Sequence, residues 1–314
     1  MARGGLEPNR RTRPSLARGR VLWGEKFIEL LLLLAAASSV LITLGIVAVL
    51  VTESVAFFRD VSLVEFVSSG TWAPAFNPPG FGIRPLISGT LVTTFVALVV
   101  AIPVGTIVSV WLSEYASNRV RELVKPVLEL LSAIPTVVFG YFALLFVTPA
   151  LQWVFGLVGV QLPGFNMLSA GLVMGVMIVP YVASLSEDAM RSVPASLREG
   201  ALAMGATRLQ TSRKVVFPAA FSGITAAYIL AISRALGETM IVAIAAGQEA
   251  KFTFDPTQQA QTITAFIVQI SGGDLPHESP EYRSIFAAGL TLMLMTLAFN
   301  VGGFLLRRRF KEAY

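Results

Sequence analysis

FIELLLLLAAASSVLITLGIVAVLV, the stretch from Phe27 to Val51, carries one charged residue, Glu29. An apolar run beyond about 18 residues is long enough to cross the hydrocarbon layer of a bilayer as a helix. Working outward, five more runs stand at roughly Leu86–Leu112, Val127–Phe146, Met167–Leu185, Ala219–Ala246 and Ile285–Leu306. The predicted fold is therefore an all-α integral membrane protein with six transmembrane helices. Composition agrees: 54% of the 314 residues are hydrophobic and 14% charged, against about 45–50% and 25% in soluble domains. The tripeptide Ala35-Ala36-Ala37 invites a signal-peptide reading, but the apolar run continues to Val51, too far for a cleaved leader. It reads as an uncleaved first span.

The formal charge of +5 would suggest nucleic acid in a soluble protein, but here the basic residues flank the apolar runs. Lys and Arg number 7, 2, 3, 0, 5, 2 and 4 in the successive segments outside the spans, with Arg234 inside the fifth. By the positive-inside rule, both termini and the loops near Arg119 and Arg208 are expected in the cytoplasm. There is no cysteine, which excludes disulfides, thiolate metal sites and cysteine nucleophiles. His277, the one histidine, reads as an ordinary surface residue.

The outer segments differ in kind. Glu53–Arg84, with Trp72, Pro74, Pro78, Pro79, Gly80 and Gly82, reads as an ordered surface cap. Pro149–Asn166 is uncharged and reads as an interfacial or a re-entrant segment. Gly247–Arg283 turns polar and slightly acidic, with Glu249, Asp255, Asp274, Glu278 and Glu281, and suits contact with a soluble partner. Pro103, Pro135 and Pro180 fall within or beside spans, as simple packing kinks or as breaks lining a cavity.

Between spans four and five, residues 192–218 read SVPASLREGALAMGATRLQTSRKVVFP. Ser196 with Glu199, and Thr207 with Gln210, have the spacing of capping boxes, and Gly205 suits a left-handed helix end. Two short helices joined at Gly205 are expected. A DNA-binding helix-turn-helix has a similar outline, but tethering to membrane spans at both ends favours docking to a protein in the cytoplasm. The loop resembles the EAA loop of ABC importer permeases: Glu199, Ala201, Gly205 and Pro218 match at the right spacing, while Gly200, Val215 and Phe217 depart from its Ala, Ile and Leu. The resemblance implies that Glu199, Gly200, Ala201, Gly205 and Pro218 couple the chain to an ATPase. The sequence has no Gly-Lys pair, so it supplies no P-loop. No cofactor is expected in this chain; ATP and Mg belong to a partner ATPase subunit.

Mid-way along the fifth run lies Ser233-Arg234-Ala-Leu-Gly-Glu238-Thr239-Met240. Each ionised group costs at least about 2.5 kcal/mol there, so both should face the bundle interior or a water-filled cavity. Four residues apart, they are expected on one helix face. They read either as a self-neutralising pair that holds helices together or as an anion site, since a guanidinium fork matches a tetrahedral oxyanion. The run is similar to one in permeases of the Pst phosphate importer. Phe81–Thr94, Leu112-Ser-Glu-Tyr and Leu131–Gly140 resemble the PstC-type subunit more than its PstA-type partner.

This resemblance implies a translocation role for Arg234, Glu238 and Thr239, a five-helix MetI-like core with a peripheral first span, and the bacterial inner membrane as location. It implies as partners a PstA-type permease, two PstB-type ATPases and a periplasmic PstS-type phosphate-binding protein, with membrane lipid around them. No nucleic acid is expected. The expected organisation is a basic tail (1–26), a first helix with its outer loop (27–84) and a permease core (85–310) that contains the loop 192–218. Rival readings are a permease for sulfate or molybdate, the PstA-type partner, an ion-coupled carrier and a non-transporting scaffold.

Overall fold

The computed structural model describes residues 23–309 apart from 274, 275 and 277. Most of the basic tail, together with Asp274 and His277, therefore lies outside the described residues. The chain divides into two compact units, residues 1–49 and 50–314. Helix α1 (Trp23–Asp60) runs from the first into the second. Its leading part presents exposed Leu, Ile and Val side chains around its whole circumference, as a helix solvated by lipid does. The helix outlasts the apolar run that ends at Val51, because nothing in residues 52–58 breaks it.

A small cap follows: α2 (Leu63–Ser68), then strands β1 (Trp72–Ala73) and β2 (Gly80–Phe81), paired antiparallel with Trp72 opposite Phe81. Edge-to-face contacts join Phe57, Phe58, Phe66, Trp72, Phe81 and Phe266, with ring centroids 4.9–6.2 Å apart. Such pairs add about 0.5–1.5 kcal/mol each beyond area burial. The turn-rich segment is thus the ordered cap its composition predicts.

Helix α3 (Arg84–Val110) carries Pro85 in its first turn and passes through Pro103 before a π-turn at Trp111–Tyr115. Next comes α4 (Asn118–Ser132), started by Ser117, whose hydroxyl oxygen accepts from the Val120 N–H. The third span expected from Val127 is corrected here: residues 127–132 belong to α4. Proline disfavours helical backbone at the residue before it, and the chain turns at Ala133–Ile134 before Pro135. The span itself is α5 (Thr136–Phe142), a π-turn (Ala143–Val147) and α6 (Thr148–Gly156). Much of the segment read as interfacial or re-entrant, Pro149–Gly156, is accordingly the end of this span.

Helix α7 (Met167–Arg191) is capped by Asn166, whose Oδ1 accepts from the Ser169 N–H at 2.8 Å. It is the central helix, buried along Ala170, Val173, Met174, Met177, Ile178 and Val182. It lies against α3 through glycines on both: a Cβ at Gly105 would sit 2.6 Å from Val182 Cβ, and one at Gly175 2.7 Å from the Ala97 carbonyl oxygen. Small residues let membrane helices approach this closely, and dispersion then holds them.

The loop between spans comprises α8 (Ala195–Ala203), α9 (Arg208–Thr211), a π-turn (Ser212–Val216) and α10 (Phe217–Ala219). After a 72° bend come α11 (Phe221–Leu236) and, beyond a break, α12 (Met240–Ala245). The expected continuous fifth span is corrected: its helix stops at Leu236 and resumes at Met240. The segment 247–283, read as polar and slightly acidic, contains an apolar helix, α13 (Ile263–Ser271), with Ile263, Phe266 and Ile270 buried. Helix α14 (Pro280–Arg309) is the last described element. Among the described residues five helices are long and apolar enough to cross a membrane, or six if the bent pair that ends in Phe221–Leu236 is counted as one span.

Candidate functional site

Arg234 lies in the last turn of α11, and Glu238 in the break that follows. The expectation that they share one helix face is corrected. Gly237, a poor helix former, ends α11 between them, and the chain re-aims Glu238. They still pair, with Arg234 Nη1 3.6 Å from Glu238 Oε2. The two side chains differ in access: 37% of Arg234 is exposed and 2% of Glu238. The other carboxylate oxygen, Oε1, accepts from the Met240 N–H at 3.2 Å, with a longer contact of 3.5 Å from the Ile241 N–H. Glu238 therefore also caps the start of α12, where free amides and the helix dipole favour a negative charge. Thr239, half-buried, donates to the Gly237 carbonyl at 3.3 Å.

This arrangement leaves Arg234 with capacity to spare. Its Nε is buried and has no hydrogen-bond partner among the described residues. The break itself is pinned from two sides. Thr264 Oγ1, on α13, donates to the Glu238 carbonyl at 2.6 Å, and Ser233 Oγ donates to Asn300 Oδ1, on α14, at 2.7 Å. Sequence reasoning missed Thr264 and Asn300, because single hydroxyls and amides in apolar helices do not announce distant partners.

The loop 192–218 forms the two helices expected. Gly205 has φ +83°, the left-handed region, and Thr207 and Gln210 form a full capping box. The first box is absent. Pro194 occupies the N-cap of α8 without a side-chain hydrogen bond, which places Ser196 inside the helix, where its hydroxyl no longer faces an orphan amide. Glu199, Gly200, Gly205 and Pro218 are exposed and Ala201 is half-buried. Around them Met204 (88%), Leu209 (63%) and Leu202 (47%) expose apolar surface, as a docking face does. The 16 residues of α11 set the break about 24 Å from this loop at 1.5 Å per residue.

Gly205→Val should test the loop. Open space surrounds the added Cβ, so the effect isolates the backbone, where a branched residue at positive φ costs about 1–2 kcal/mol. ATPase that copurifies with the permease should fall several-fold while the permease itself stays folded. Wild-type ATPase binding and transport would remove Gly205 from the coupling role.

Two ion networks near the same end also escaped the sequence reading. Glu187, fully buried, lies 2.9 Å from Lys125 Nζ, 3.7 Å from Arg191 and 4.0 Å from Arg121, and Lys125 also reaches Asp188. Burial alone would lower the Lys125 pKa, but the hydrogen bonds and charges of Asp188 and Glu187 outweigh it and hold it above the ordinary lysine value. This network seats α4 on the end of α7. Arg198 meets Glu114 at 3.1 Å.

The broken span, the half-buried ion pair at its break and the exposed helical loop together define a membrane permease. Residues 101–312 match the family described as "Binding-protein-dependent transport system inner membrane component", and the chain belongs to that family. Its relatives narrow the class to PstC-type permeases. It is 31% identical over 284 residues to the phosphate transport system permease protein PstC of Xylella fastidiosa, covering 85% of this chain and 86% of that one. It is 35% identical over 244 residues to PstC 1 of Mycobacterium tuberculosis, covering 70% of each. It is also 35% identical over 269 residues to the "Probable ABC transporter permease protein YqgH" of Bacillus subtilis, covering 86% and 84%.

Two solved structures share the fold. A bacterial alginate ABC transporter chain aligns with TM-score 0.64 at 17% identity, covering 94% of this chain and all of that one. A MetNI methionine ABC transporter chain aligns with TM-score 0.54 at 19% identity, covering 74% and 95%. The chain is thus a translocation subunit, with ATP hydrolysis assigned to a separate one, and a substrate-binding protein is its other class of partner.

Proposed function

We propose that this chain is the PstC-type translocation subunit of an ATP-driven phosphate importer, and that phosphate passes Arg234 at the break in the fifth span. The observation that carries the reading is the Arg234 guanidinium: partly exposed, with a buried Nε that has no partner among the described residues, beside a carboxylate already engaged by backbone amides. A carboxylate next to an anion path would ordinarily repel a phosphate dianion. Here the α12 amides share its charge, so the fork keeps attraction for a tetrahedral oxyanion. The relatives named as phosphate permeases support the choice of anion.

In this reading Arg234 receives the anion, Glu238 neutralises Arg234 when the site is empty, and Thr239 borders the path. Glu199, Gly200, Ala201, Gly205 and Pro218 form the ATPase-docking face, with ATP and Mg held by the ATPase. The partners are a PstA-type permease, two PstB-type ATPases and a PstS-type binding protein in the bacterial inner membrane. The alternation of Lys and Arg along the chain supports a cytoplasmic side for both termini and the loop 192–218. Closure of the ATPase dimer then drives alternating access.

Proteoliposomes that hold the complex, with ATP on the ATPase side and binding protein on the other, test the substrate. Labelled phosphate should accumulate, and a hundredfold excess of sulfate or molybdate should leave uptake unchanged. Competition by sulfate or molybdate at phosphate-like concentrations would reassign the system to that oxyanion.

A further inference from the structure

We infer that Arg198 is a strut that fixes the coupling helix α8 to two membrane helices at once, α3 and α7, and so converts motion of the ATPase-docking loop into motion of the bundle. The inference rests on the reading of 192–218 as that loop.

Helix α8 buries no residue of its own, and among the described residues its one ion pair is Arg198 with Glu114. All three guanidinium nitrogens are used. Nε lies 3.3 and 3.4 Å from the two Glu114 carboxylate oxygens, and Nη2 donates to Glu114 Oε1 at 3.1 Å. Nη2 also donates to the Met190 carbonyl at 2.8 Å, and Nη1 to the Val193 carbonyl at 2.6 Å. Met190 is in the last turn of α7 and Val193 just beyond it, where a cation complements the helix dipole; the Met190 carbonyl also accepts from the Val193 N–H at 3.2 Å, and the guanidinium adds to that bond. Glu114 lies in the π-turn that ends α3, and the Ser113 hydroxyl holds its Oε1 at 2.8 Å. The π-turn provides a local departure from the α-helical ladder at a functional joint, and it is anchored by Leu112, fully buried.

The chemistry requires arginine. Lysine reaches one or two of these four acceptors as a point charge, whereas the planar fork serves a carboxylate and two carbonyls together. Burial is intermediate, with 22% of Arg198 and 9% of Glu114 exposed, so water screens the contact less than at an open surface. Beneath the strut, Leu197 packs on the apolar cluster of Met190, Val193, Val216, Ala220 and Ile224. That cluster supplies cohesion without direction, whereas the strut fixes the orientation of α8 on both helices.

Arg198→Met and Glu114→Gln, each in the full complex, test the strut from its two ends. Because the chain has no cysteine, spin labels placed by Ser196→Cys on α8 and Arg119→Cys at the start of α4 report the position of α8 directly. Both variants should copurify ATPase in wild-type amount, broaden the label distance distribution and raise ATP hydrolysed per phosphate imported by roughly two- to thirtyfold. Arg198→Lys should restore part of the ratio. Unchanged distances, an unchanged ratio, opposite behaviour of the two variants, or loss of the ATPase from the complex would each overturn the strut. If the wild-type complex moves no phosphate, the functional reading fails, and the label distances alone still decide the strut.

Discussion

Gly175→Leu is expected to remove assembled permease from the membrane. The added Cβ would stand 2.7 Å from the Ala97 carbonyl oxygen and 2.8 Å from Val100 Cβ. The first obstacle is backbone, so a rotamer change cannot relieve it; α3 and α7 must separate. Overpacking ordinarily costs about 1–3 kcal/mol, but here the displacement also opens the contacts around Gly171, where a Cβ would meet Val96 at 2.7 Å. Those contacts are the main cohesion of two helices that gain nothing from water exclusion in lipid. Detergent-extracted permease, followed by size exclusion, should lose its discrete peak and its copurifying subunits. Gly45→Ala, in α1, is the matched control. Its surroundings are open, and alanine favours helix by up to about 1 kcal/mol over glycine, so this variant should assemble at least as well as wild type. Normal assembly of Gly175→Leu would mean that α3 and α7 are not held at close range.

Much of this architecture is legible without coordinates because lipid imposes length. The run at Phe27 and its five successors announced six crossings, and Gly205 with Thr207 and Gln210 announced two joined helices by purely local chemistry. Where short-range rules compete, the reading slipped. Ile134-Pro135 carried the signal that ends α4, but the apolar count of residues 127–146 overrode it. Ser196 and Glu199 have the spacing of a capping box, yet Pro194 starts the helix first. Residues 263–271 form too short a run to register as a span, and they pack inside the bundle as α13.

The candidate pair was half legible. Arg234 and Glu238 stood out by the cost of charge in an apolar run, whereas the break between them did not, because a lone glycine such as Gly237 is common in membrane helices. The strut of Arg198 on Glu114 joins residues 84 positions apart, and Lys125 finds Glu187 across 62. No local pattern encodes such pairings. The Gly171-x-x-x-Gly175 spacing was present in the sequence as a packing signal and acquires its meaning only beside α3.

The second large effect is expected at Arg234. Arg234→Met alone leaves the buried Glu238 without its cation; because 37% of Arg234 is exposed and water screens the pair, the cost is about 1–3 kcal/mol, that of an unsatisfied buried polar group. Low uptake by that variant would therefore report stability as much as transport. Removing both charges avoids this, since replacing a buried pair by apolar residues of similar size is often tolerated. Arg234→Lys keeps the charge but loses the fork and should retain partial uptake with weakened affinity for phosphate. The most direct test is the initial rate of labelled phosphate uptake by vesicles that contain Arg234→Met with Glu238→Leu, at matched amounts of intact complex. The anion-site account predicts normal assembly with uptake lowered at least about thirtyfold, the loss of a charge-assisted contact. Wild-type uptake by the charge-free permease would contradict it and leave Arg234 and Glu238 as a structural pair.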